Sequence, residues 1–136
     1  MKRLISSLLL AGAFALCACA PTNYSAEGSK SKLSSKGYTV EVYSNEEAKA
    51  RIKGLDYSVA EFTNALYAEK GADENKDLFL AFYFKSIGDC DKFVDANIAV
   101  MNDYGSSNLG ENLTKKVGSH NNVAYVGSET SFANAF

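Results

Sequence analysis

An α+β sandwich is the fold this sequence predicts, and three observations predict it. Tyr38-Thr39-Val40-Glu41-Val42-Tyr43 alternates with period two, as a half-buried strand does. Leu78-Phe79-Leu80-Ala81-Phe82-Tyr83-Phe84 is a short, unbroken apolar run, which suits a central strand covered on both faces. After Asp89, the residues Cys90, Phe93, Asn97, Val100 and Tyr104 fall nearly on one helical stripe. With 46% hydrophobic residues, the chain has enough apolar side chains for a core. A domain of about 100 residues folds without disulfides as a rule.

Taken in order, the elements are these. The strand over 38–43 is followed by Ser44 and, three residues later, Glu47, the spacing of a capping box, so a short helix opens there and closes at Gly54. Residues 56–70 read two ways. Val59, Phe62, Leu66 and Tyr67 lie at helical spacing, and Ser58 with Glu61 offers a second capping box. Beside the run at 77–85, the same segment reads as the first strand of a hairpin that turns through Gly71 to Lys76. The helix from Asp89 runs to about Asn102, with Gly105 as its stop. Val123 to Val126 is a late strand, and Ser128 caps a final turn in which Phe132 and Phe136 are one turn apart. The strand reading of 56–70 leaves no strand unpaired. It gives a ferredoxin-like β-α-β-β-α-β sandwich with a short C-terminal helix.

The N-terminus carries an address. Lys2 and Arg3 precede the apolar stretch Leu4 to Leu16, and Leu16-Cys17-Ala18-Cys19 follows. A membrane span needs about 20 apolar residues, more than this run provides. An ordinary secretory signal cut after Ala20 is the second alternative. The boundary itself resembles a lipobox, with Leu16 at −3, a small residue at −1 and Cys19 as the residue that receives lipid. Cys17 at −2 is a departure from the usual occupants. Residues 1–18 are therefore expected as a lipoprotein signal peptide. Residues 19–37 follow as the lipidated cysteine and a disordered Ser-rich tether, in which Leu33 begins at most a short turn, and 38–136 as the folded domain. One acyl chain binds a membrane only marginally, whereas two or more hold stably. Ala20 leans toward an outer membrane in a two-membrane cell and means the outer face of the cell membrane in a one-membrane cell.

The pattern Leu33-x-x-x-Gly37-Tyr38-x-Val40, then Tyr83-Phe84-x-Ser86 before the helix, then Tyr125-x-Gly127 and a closing helix, resembles small lipoproteins of low-GC Gram-positive bacteria. The resemblance covers most of the mature chain. It implies a strand in the first half of the hairpin, an extracytoplasmic address and no particular activity.

The residues that could carry chemistry are few. Cleavage and acylation would leave Cys90 as the free thiol, excluding an intramolecular disulfide and a cysteine-based zinc cluster. Cys90 sits between Asp89 and Asp91, whose charges oppose a thiolate, and its place on the apolar stripe points to the core. Asp73-Glu74-Asn75-Lys76-Asp77 begins like a calcium loop, but Leu78 stands where glycine is needed and Phe84 where glutamate is needed, so a solvated turn is expected. His120, the single histidine, lies among Gly118, Ser119, Asn121 and Asn122 and reads as an exposed loop residue. No nucleophile elbow, P-loop or dinucleotide glycine pattern occurs. Tyr43, Tyr57, Tyr67, Tyr83, Tyr104 and Tyr125 are many tyrosines for a small core; they are either sheet residues with wet hydroxyls or a contact surface. With 14 basic and 16 acidic residues, the chain lacks the basic excess that nucleic acid asks for.

The expected function is a non-catalytic accessory or binding module, without metal or cofactor. It would be held to a membrane through Cys19 and offered to an envelope protein or glycan. The alternative is a small thiol-dependent enzyme or redox factor using Cys90.

Overall fold

Five strands form one antiparallel sheet in the order β1-β2-β3-β5-β4. They are β1 (Thr39–Ser44), β2 (Asn64–Lys70), β3 (Asp77–Tyr83), β4 (Lys115–His120) and β5 (Val123–Ser128). A computed structural model describes residues 23–136, so residues 1–18, Cys19 and the first part of the expected tether lie outside the described residues. Among the described residues, four α-helices accompany the sheet: α1 (Ala26–Ser35), α2 (Asn45–Arg51), α3 (Ile87–Asn108) and α4 (Glu129–Ala135).

Every residue of β3 is buried, because the central strand is covered on both sides. Phe79, Ala81 and Tyr83 face a core shared with Ala26 and Leu33 of α1 and Ala135 of α4. Leu80 and Phe82, with Phe84 just beyond the strand, face a second core with Ala48 of α2 and Cys90, Phe93 and Met101 of α3. The segment 52–63 closes that second core with Ile52, Leu55, Tyr57 and Phe62. Within it, Asn97 is nearly fully buried; its side chain accepts from the Asp56 N–H at 2.7 Å and donates to the Asp56 carbonyl at 3.1 Å. That pair satisfies irregular backbone that no strand partner reaches.

The α+β class stands as expected, and the sheet departs from the ferredoxin-like arrangement. There is a fifth strand, β4, and each pairing is antiparallel. The physical reason lies in the connections. The link from β1 through α2 returns to the neighbouring strand instead of crossing over, so β1, β2 and β3 form a meander. The α3 connection then delivers a β4–β5 hairpin whose second strand pairs with β3. The ambiguous segment resolves as irregular chain followed by β2. Its register Leu66↔Ala81 and Ala68↔Phe79 places both β2 residues in the α1-side core.

Two boundaries differ from expectation. Residues 26–35 are a helix, not part of a disordered tether. Ser25 caps it, its Oγ accepting from the Gly28 N–H, while Ala26, Ser29 and Leu33 are buried against the sheet. Helix α3 continues through Gly105 to Asn108, so that glycine is not a stop. A Cβ there would lie 2.7 Å from Val126 Cγ2, and the missing side chain is what lets α3 approach β5. The capping box of Ser44 and Glu47 forms as the spacing predicts, and Ser128 caps α4.

Candidate functional site

Cys90 and His120 are placed on opposite faces of the sheet. Cys90 is fully buried among the α3-side residues. Burial, reinforced by the neighbouring Asp91 charge, pushes its thiol up to about 12. Adjacent helical residues point about 100° apart, so Asp89 turns outward while Cys90 turns into the core. Asp89 lines an open cleft of about 430 Å³ at the strand ends with Glu61, Phe62, Thr63 and Lys85. Cys90 is not part of that lining, and the one hydroxyl there, that of Thr63, donates to the Tyr83 carbonyl at 3.0 Å.

His120 differs from the exposed loop residue the sequence suggests. It ends β4, is half-buried, and packs on the α1–α4 side. Its ring centroid lies 5.1 Å from Tyr24, 5.2 Å from Phe132 and 4.7 Å from Phe136. Its Nε2 is 3.2 Å from the Tyr24 hydroxyl. Lys116 Nζ lies 4.2 Å from the Phe132 ring centroid, a cation–π contact at the edge of the same cluster.

The cluster holds the start of the described chain. Asn122, almost fully buried, accepts from the Tyr24 N–H at 2.8 Å and donates to the Tyr24 carbonyl at 2.9 Å. The same amide donates to the Phe84 carbonyl at 2.9 Å, while the Phe84 N–H donates to the Asn122 carbonyl. Asn122 thus rivets three segments: the N-terminal chain, the end of β3 and the β4–β5 turn. Sequence reasoning missed it, because an Asn-Asn pair between two strands signals only a turn.

A second polar junction closes the opposite end. Asp77, buried, accepts from the Tyr38 hydroxyl at 2.5 Å and from Ser128 Oγ at 2.6 Å. Ser128 Oγ also accepts from the Ser131 N–H at 2.8 Å. Desolvation raises Tyr38 to about 12, with the Asp77 hydrogen bond adding to it. The aspartate expected in a solvated turn is therefore a structural anchor, and the turn before it is a short 3₁₀ segment, Asp73–Asn75. Among the described residues, no group of three or more His, Cys, Asp or Glu is placed to hold a metal ion.

The tyrosines divide. Tyr38, Tyr83 and Tyr125 are buried, and Tyr57 packs on Phe62, Phe82 and Phe93. Tyr43 and Tyr67 remain half-buried on the α3-side face, and their hydroxyls donate to Glu41 and Glu69 on their own strands. Most of the surplus is thus core and sheet, with a small Tyr–Glu strip at the edge. Comparison with protein-family models, with curated proteins and with solved structures finds no match.

Proposed function

We propose that this chain is an extracytoplasmic lipoprotein, anchored through acylated Cys19, whose domain serves as a non-catalytic binding or accessory module. The address rests on Lys2 and Arg3, the apolar stretch to Leu16 and the Leu16-Cys17-Ala18-Cys19 boundary. Among the described residues no helix is long and apolar enough to cross a membrane. In this reading the acyl chains on Cys19 carry the attachment.

The observation that carries the non-catalytic half is the separation of the two reactive side chains. Cys90 is sealed in one core with its thiol held protonated, and His120 is packed among aromatic rings on the other side of the sheet. Neither meets the constellation of nucleophile, base and orienting group that covalent catalysis requires. The partner would be an envelope protein or glycan. The Tyr43–Tyr67 strip, with its Glu41 and Glu69 partners, is a surface available for contact.

Metabolic labelling with a palmitate analogue, followed by membrane fractionation of wild type and Cys19→Ala, tests the anchor. Wild type should incorporate label and sediment with membranes, and Cys19→Ala should do neither. Unchanged labelling and sedimentation of the variant would overturn the reading.

A further inference from the structure

We infer that the strand end carrying Tyr24, Lys85 and the β4–β5 turn is the face this domain turns toward the lipid bilayer. The inference rests on the lipoprotein reading above and adds an orientation to it. Cys19 and Tyr24 are separated by four residues in sequence. Five Cα steps at about 3.3–3.6 Å each span at most about 18 Å, whatever conformation they take. Tyr24 itself is fixed to the domain by Asn122, His120 and Phe136. A lipid on Cys19 therefore holds that end of the sheet close to the headgroups.

The opposite end cannot replace it. From Tyr83 to Asp77, β3 runs six steps, about 20 Å at strand rise. Beyond it lies the turn at 71–76, tied to Gly110 and Asn112 by backbone hydrogen bonds to Lys76 and Glu74. An inverted pose would require the four residues to pass the whole sheet, which exceeds their reach. The bound surface is the neutral headgroup layer. Lys85 is balanced nearby by Glu61 and Asp89, so anionic lipid is not required.

The test expresses the full chain in a bacterium, purifies it as the cell processes it, and places it in phosphatidylcholine vesicles that carry a headgroup quencher. Fluorophores are placed by Lys85→Cys or Glu111→Cys, both at exposed positions, while buried Cys90 stays unlabelled in the native protein. The Lys85 label should be quenched about twofold or more over the Glu111 label, given the ~20 Å between the two ends. A flexible Gly/Ser insert after Pro21 should erase the difference. Equal quenching of the two labels in an acylated, vesicle-bound chain would overturn the orientation alone. A chain that carries no acyl group would overturn the lipoprotein reading and the orientation with it.

Discussion

Asn122→Ala should release the N-terminal chain from the domain, and its cost can be worked from the hydrogen bonds it removes. The amide makes three: from the Tyr24 N–H, to the Tyr24 carbonyl and to the Phe84 carbonyl. A typical bond of this kind contributes about 0.5–1.5 kcal/mol net, and a buried acceptor left alone costs about 1–3 kcal/mol. Tyr24 is half-buried, so its two groups can recover water once the chain peels away, placing them at the low end. Phe84 is nearly fully buried, so its carbonyl keeps more of its penalty. The expected loss is about 2–4 kcal/mol. Asn122→Asp separates the contributions, since it retains an acceptor for the Tyr24 N–H and loses both donated bonds while setting a carboxylate against two carbonyls. It should destabilise at least as much as the alanine. Urea denaturation gives the free energies, and amide exchange at Tyr24 reports the local release. A loss below about 0.5 kcal/mol, of the size expected for ordinary surface changes, with Tyr24 still protected in Asn122→Ala, would refute the rivet.

Three further outcomes follow from the packing. Cys90→Ser places a hydroxyl in an apolar site and should cost about 1–2 kcal/mol, while native Cys90 resists thiol reagents until the protein unfolds; rapid native labelling would contradict its burial. Gly105→Ala gains helix propensity of about 0.5–1 kcal/mol but drives its methyl into Val126 and Lys115, for a net loss of about 1 kcal/mol or more in thermal or urea melts; a stabilised variant would show that α3 has room to shift. Stability should fall in alkali: burial raises Tyr38, Tyr57 and Cys90 to about 12 and raises Tyr83 as well, so each is favoured protonated in the folded state. That contribution is complete below the unfolded values, about 8.5 for the thiol and 10 for tyrosine, and is lost as pH rises toward 12; a melting temperature flat from pH 9 to 11 would contradict it.

The elements legible in the sequence are those whose cause is local. The apolar run of β3, the Ser44–Glu47 box and the Ser128 cap each specify their structure within a few residues. Those that escaped are specified by distant partners. Helix α1 buries Ala26, Ser29 and Leu33, so two of its three inward positions are small, and a polar helix with a single large apolar side chain reads as linker. β4 is an edge strand with Lys115, Lys116, Gly118 and Ser119, and its one large aliphatic residue, Val117, carries no visible alternation. Gly105 looks like a helix stop because glycine terminates helices locally, whereas here it serves a tertiary contact. The His120 cluster has the same origin, since Tyr24 is 96 residues away in sequence. This bears directly on how the domain would be displayed. A disordered tether through residue 37 would give a reach of about 20–25 Å and leave the domain free to rotate. With the chain fixed from Tyr24 onward, only four residues separate Cys19 from that fixed point, and an anchor there would constrain orientation as well as distance.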